Sequence, residues 1–128
     1  MTPSITKNIQ VNVKSSFSEL QSNIELNEFF FTYHVRIENN SEHTVQLLSR
    51  KWLITDSNGQ NRFVEGEGVV GEQPILGPGQ SYEYYSGCLL NTGFGKMKGF
   101  YMFQTLPGFD LFDVEIPEFN MVLPWVMN

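Results

Sequence analysis

The sequence predicts an all-β chain folded as a two-sheet antiparallel sandwich, and three observations carry that prediction. There is no alanine, the strongest helix former, whereas 11 Phe and 5 Tyr stand beside many Val and Ile residues. Apolar residues recur at every second position in several short runs, which is the period of a half-buried strand. Clusters of Gly, Pro, Asn and Asp, the residues that tolerate tight turns, separate those runs. At 128 residues the chain is expected to be one domain, 1–128. Its core is expected over about 5–118, followed by an irregular tail over 119–128.

The first strand is expected where Ile9, Val11 and Val13 alternate with Gln10, Asn12 and Lys14. A polar loop, Ser15 to Asn23, follows. Phe29, Phe31, Tyr33, Val35 and Ile37 then alternate with Phe30, Thr32, His34, Arg36 and Glu38 to make the second strand. It ends at Asn39-Asn40-Ser41, whose side chains can bond their own backbone. The third runs from Val45 to Asp56, and the adjacent Leu47 and Leu48 break its alternation, so a bulge is expected there. Ser57-Asn58-Gly59 supplies a tight hairpin into a fourth strand, Asn61 to Glu65. A glycine-rich connection leads through Gly77-Pro78-Gly79 to a fifth strand, Ser81 to Leu89. Asn91-Thr92-Gly93 turns the chain into a sixth, Lys96 to Gln104, and Pro107-Gly108 into a seventh, Asp110 to Ile116. Seven short strands with turns between them predict an immunoglobulin- or fibronectin-III-like sandwich. The paired cysteines of antibody domains are absent, so packing alone must hold the core.

Composition narrows the function. A net charge of −6 argues against a nucleic-acid interface. The single cysteine, Cys88, excludes an internal disulfide and a cysteine-rich metal site. No leader pattern is visible over Met1 to Asn12, and the apolar run Met121 to Met127 contains Pro124 and is too short to span a bilayer. A cytoplasmic protein without membrane contact is expected.

Beyond these patterns, the sequence resembles the ApaG family. The matching residues are Trp52-Leu53-Ile54-Thr55-Asp56 with Gly59, then Gly66-Glu67-Gly68-Val69-Val70-Gly71-Glu72-Gln73-Pro74. Leu76, Pro78-Gly79, Tyr84, Ser86-Gly87, Gly95, Met97, Gly99, Tyr101, Phe112, Ile116-Pro117 and Phe119 continue the pattern. Lys51 stands where a histidine is common in the family, and Gly93 where a proline is common. The resemblance implies a fibronectin-III-like sandwich. It also implies a link to cobalt tolerance and magnesium efflux, seen for bacterial members. Similar domains fused to F-box and other adaptors imply a protein-interaction module.

Gly66, Gly68 and Gly71 spell the G-x-G-x-x-G of a dinucleotide loop. That motif works by opening a helix whose amides face a pyrophosphate. Here Pro74 and Pro78 preclude the helix, and Glu65, Glu67 and Glu72 would repel phosphate. The glycines are therefore expected to serve tight turns, with a pyrophosphate or nucleotide nest, aided by Arg62 or Lys51, as the alternative. No metal site is expected. His34, His43 and Cys88 lack ligand spacing, and Asp113 and Glu115 read as solvent-facing charges beside Asp110 and Glu118. No catalytic group and no cofactor are expected either: Cys88 shares a strand face with Tyr82 and Tyr84, and Ser86 has no partnered histidine in a recognisable signature. On the sixth strand, Met97, Gly99, Tyr101 and Phe103 are the core face, with Trp52 as the central aromatic. Phe100 and Met102 then fall on the opposite face and need a cover. The expected cover is the tail, through Val122, Leu123, Trp125 and Val126; the alternative is a protein partner or a homodimer. The function expected is a non-catalytic protein-binding module. A pyrophosphate- or nucleotide-binding protein of cobalt and magnesium homeostasis is the alternative.

Overall fold

Apolar alternation becomes nine strands in the computed structural model, which describes residues 3–126. They are β1 (Ser4–Thr6), β2 (Ile9–Phe17), β3 (Phe29–Asn39), β4 (Thr44–Asp56), β5 (Asn61–Glu67), β6 (Ile75–Leu76), β7 (Ser81–Leu90), β8 (Phe94–Leu106) and β9 (Leu111–Val122). Two single 3-10 turns, Ile24–Leu26 and Pro124–Val126, are the helical content of the described residues. One sheet has the order β1-β2-β3-β7; the other has β5-β4-β8-β9, with β6 on β4 beyond β5. Every pairing is antiparallel. The all-β sandwich read from the sequence is the observed fold.

The core lies where the sheets face each other. Trp52 sits at its centre, edge-on to Tyr33, Tyr101 and Phe119 at ring distances of 5.7, 6.4 and 6.0 Å. The hydroxyls of Tyr84 and Tyr101 bond each other across the sandwich. Buried Asn39 closes one end. Its amide donates to the carbonyls of His43 and Leu76 at 2.7 and 2.9 Å, and its oxygen accepts from Ser41. One flank is stitched: Ser15 Oγ donates to the Asn120 carbonyl at 2.7 Å, and the Glu115 amide donates to Thr6 Oγ1 at 3.2 Å. The other flank, between edge strands β7 and β5, leaves a cleft that is bridged by Arg62, which donates to the Leu89 carbonyl.

Two bulges reset the alternation. In β4 the register to β8 shifts between Leu47 and Ser49, as the adjacent leucines led us to expect. Val45 and Leu47 point inward before the shift, and Trp52, Ile54 and Asp56 after it. Between β8 and β9 the register shifts again: Gly99 faces Ile116, but Met97 faces Phe119. Pro117 sits in this irregularity, where a residue without an amide hydrogen is tolerated.

That second bulge corrects the expected boundaries. β9 does not end at Ile116 but runs on to Val122, and its Phe119 and Met121 are fully buried. The first four residues of the segment expected as an irregular tail, 119–122, thus belong to the strand, and a 3-10 turn follows at Pro124–Val126. The segment's last two residues, Met127 and Asn128, lie outside the described residues. β1 and β6 add two short strands to the seven expected. β2 extends to Phe17, shortening the polar loop, and β8 begins at Phe94 rather than Lys96.

Candidate functional site

The glycine-rich connection wraps the β4 bulge. The carbonyl of Leu48, the extra residue, accepts from the Gly68 amide at 2.8 Å and from the Gln73 side chain at 2.9 Å. The Leu47 amide donates to the Pro74 carbonyl at 3.0 Å. Val69 and Glu72 exchange backbone bonds of 2.8 and 2.9 Å, closing a turn in which Val70 has φ of 48° and Gly71 φ of 78°. Gly68 has φ of 61°, and a Cβ there would collide with the Glu72 carbonyl. Val69, 1% exposed, anchors the turn in the core. The connection therefore spends the amides of Gly68, Val69 and Glu72 on the protein's own carbonyls. Strand β6, not a helix, follows it.

The basic residues considered for this loop are dispersed. Lys51 faces outward, opposite Glu65 on β5 and Phe100 on β8. Arg62 lies at the other end of β5 from Gly66. The guanidinium at the loop belongs to Arg50, which had no role in the sequence reading. Its Nη1 donates to the carbonyls of Glu67 and Gly68 at 3.0 and 2.8 Å. Gly66 makes room for it, since a Cβ there would come within 2.7 Å of Arg50 Nη2.

Phe100 and Met102 do point away from the core, onto the outer face of the five-stranded sheet. Phe100 is 48% exposed and Met102 is half-buried. Phe63, 79% exposed, joins them across Leu53, its partner on β4. Phe63 and Phe100, but not Met102, border a groove of about 550 Å³ whose rim carries Lys51 and Lys98 against Glu65, Glu115 and Glu118. Its floor includes Gly99, where a Cβ would run into the Lys51 carbonyl, so the β4–β8 approach requires glycine.

Among the described residues the tail does not line this groove, contrary to expectation. Leu123 packs at Gly93 and donates its amide to the Gly93 carbonyl at 3.0 Å. Trp125 meets Phe17 of the other sheet at 5.7 Å, edge-on. β9 keeps its antiparallel course to Val122, opposite Phe94 at the far end of β8, and the chain exits there, away from Phe100. The Val126 side chain lies outside the described residues.

The remaining reactive groups are scattered. His34 Nε2 lies 3.1 Å from Glu83 Oε1, under Tyr85 at a ring distance of 4.7 Å. Among the described residues no three His, Cys, Asp or Glu side chains gather as metal ligands. No described helix is long and apolar enough to cross a membrane. Cys88 is buried, and that burial pushes its thiol pKa up despite the Arg62 guanidinium beside it. Burial likewise raises the phenols of Tyr33, Tyr84 and Tyr101.

Comparison with known proteins bears on this geometry. Residues 19–105 match the model of the ApaG domain. Protein ApaG of Brucella canis is 48% identical over 124 residues, covering 97% of this chain and 95% of that one. Protein ApaG of Vibrio vulnificus is 46% identical over 120 residues, covering 94% of each. A crystal structure from Bordetella pertussis superposes with a TM-score of 0.88 at 38% identity, covering 95% of this chain and 98% of that one.

Proposed function

The chain belongs to the ApaG domain family, and from that premise we propose that it is a non-catalytic module that docks another protein on the outer face of its five-stranded sheet. One observation carries the reading: two aromatic side chains, Phe63 and Phe100, stand open at a groove ringed by charges of both signs. Exposed aromatic groups flanked by polar rims are the usual anchors of protein interfaces. The occupant that fits is an apolar side chain of a partner protein, flanked by one acidic and one basic residue. They would meet Lys51 or Lys98 and Glu115 or Glu118. The buried free thiol of Cys88 supports a reducing compartment, and we assign the module to the cytoplasm.

The alternative is a pyrophosphate or nucleotide loop at Gly66, Gly68 and Gly71, tied to cobalt and magnesium homeostasis. The inward-spent amides of the connection favour the docking reading over it.

A photo-crosslinking residue placed at Phe63 or at Tyr85, on opposite outer faces, tests the assignment in the native cytoplasm. The expected result is one protein joined from position 63 and not from 85. Once purified, that protein should lose about 30-fold in affinity for Phe100→Ser, a loss of about 2 kcal/mol. Crosslinks only to a second copy would replace the partner by a homodimer. Equal capture from both faces, or affinity unchanged in Phe100→Ser, would overturn the reading. Saturable amide shifts confined to residues 66–74 on adding pyrophosphate would favour the loop.

A further inference from the structure

The flank between β7 and β5 holds a feature that neither the groove nor the glycine connection uses. Two of the chain's three arginines point into the space between the sheets. The β4 bulge turns Arg50 onto the face of Trp52 and Ile54. On β5, Arg62 pairs with Ile54 and so shares that face with Val64 and Gly66. Both border a cleft of about 260 Å³ between edge strands β5 and β7. Tyr33, 6% exposed, and Ser86 contribute hydroxyls to its wall.

Each guanidinium is held by backbone carbonyls, and the buried Asp56 borders an adjoining pocket with Arg62. Arg50 donates through Nη1 to the carbonyls of Glu67 and Gly68. Arg62 donates through Nη2 to the Leu89 carbonyl and approaches Cys88 Sγ at 3.5 Å. Among the described residues the cations within 4.0 Å of a carboxylate are His34, Arg36 and Lys96; Arg50 and Arg62 are not. Arg62 is exposed and Arg50 half-buried, so both guanidinium groups can be reached from solvent at the mouth of the cleft. Carbonyl bonds fix the forks in place and leave Nε and one terminal nitrogen of each for another acceptor, a preorganised site for an oxyanion.

We propose that the cleft between β5 and β7 binds the dianionic phosphoryl group of a small phosphate monoester, gripped by Arg50 and Arg62. Two fixed positive charges match a dianion better than a single carboxylate. The Tyr33 and Ser86 hydroxyls supply further donors. The apolar side chains of Val64 and Leu89 border the space for the organic part. The cleft volume lies below the roughly 300–1,000 Å³ of pockets for drug-sized ligands, which favours a compact monoester over a dinucleotide. The site is separate from the amides of Gly68, Val69 and Glu72, which are spent internally.

The test is a titration of the full chain with phenyl phosphate, inorganic phosphate and acetate, followed by amide and arginine Nε–H shifts. Phenyl phosphate should give saturable shifts at Arg50, Arg62, Cys88 and Leu89, and should slow alkylation of Cys88 in proportion to occupancy. Arg62→Gln should weaken binding at least tenfold, and Arg62→Lys by a smaller factor, because the charge stays while the fork is lost. Arg36→Gln, on the outer face, should leave binding within twofold. No saturation, equal affinity for acetate, binding that survives Arg62→Gln, or shifts confined to residues 66–74 would each overturn the proposal. So would an Arg62→Gln variant that self-associates while the parent binds no phosphate, since Arg62 would then be an inward charge that guards a sheet edge.

Discussion

On the outer face of the four-stranded sheet the side chains cover one another. The Phe30 ring lies over Gly87, occupying the place a Cβ would take, and Tyr85 lies over His34. Arg36 bonds Glu38 at 2.9 Å and approaches Glu83 at 3.7 Å. On the five-stranded sheet Lys96 approaches Glu118 at 3.7 Å and Gln104 bonds Gln46 at 3.0 Å, but its aromatic rings are not covered in this way. Phe63 and Phe100 have no ring above them, and the charges around them stand at the rim rather than across the groove. A sheet face that closes on itself contributes stability. One that leaves its aromatic groups open forgoes part of that stability and keeps a surface for something else.

The comparison yields predictions of decreasing size. Both faces rest on the same tyrosine-bearing core, so the largest effect should strike them alike. Burial raises Tyr33, Tyr84 and Tyr101 above their unfolded value of 10.0. The unfolded chain therefore releases those protons first. Stability should be fully present below that pH and fall as pH rises through the higher folded values. Thermal melts across the alkaline range, with tyrosinate absorbance as the second signal, check this; ionisation of all five tyrosines near their free value without unfolding would refute it.

Next in size is the groove floor. Gly99→Ala forces a Cβ against the Lys51 carbonyl and should cost about 2–3 kcal/mol in urea unfolding. A neutral result would mean that β4 and β8 can separate without loss.

The faces should then part company. Phe30→Ala uncovers Gly87 and should cost about 1–2 kcal/mol, whereas Phe63→Ser, on the open face, should change stability by less than about 0.5 kcal/mol. Equal losses would erase the distinction drawn here. The smallest effect belongs to the charge network: Glu83→Gln should cost about 0.5 kcal/mol or less and the difference should fade in high salt. A salt-insensitive loss above that size would show that the carboxylate does more than screen its neighbours.

Much of this arrangement was legible beforehand, for local reasons. Phe29 to Ile37 alternates without a fault, and β3 follows it residue for residue. The Leu47-Leu48 pair announced its bulge because one face cannot take two adjacent apolar residues. The outward aim of Phe100 and Met102 followed from the core set on the same strand. The misreadings are equally physical. Pro117 reads as a breaker, yet the register shift opposite Lys98 absorbs it and lets β9 continue. β1 and β6 are three and two residues long, too short for a period to show. Tail and patch are both apolar, and only the path of β9 reveals that they point to different places. Arg50 and Arg62 stand twelve positions apart in sequence, and their place on one cleft wall depends on a bulge and a hairpin acting together.

The bulge at Leu48 has a consequence for how such a chain can vary. Every residue of β4 beyond it is one step out of phase with those before it. Losing that single residue would remove the bulge and leave Ser49 opposite Met102 in plain alternation with Leu47 opposite Phe103, so Trp52, Ile54 and Asp56 would still face inward, but the carbonyl that anchors the glycine connection would be gone. A one-residue insertion or deletion beyond the bulge would put the inward positions out of phase, whereas a one-residue deletion at the bulge spares the pairing of β4 with β8. The glycine connection, whose Gly68 and Gln73 both hold the Leu48 carbonyl, would have to change at the same time. Related chains should accordingly lose the bulge only together with a changed glycine connection, and keep the spacing of the inward positions beyond it.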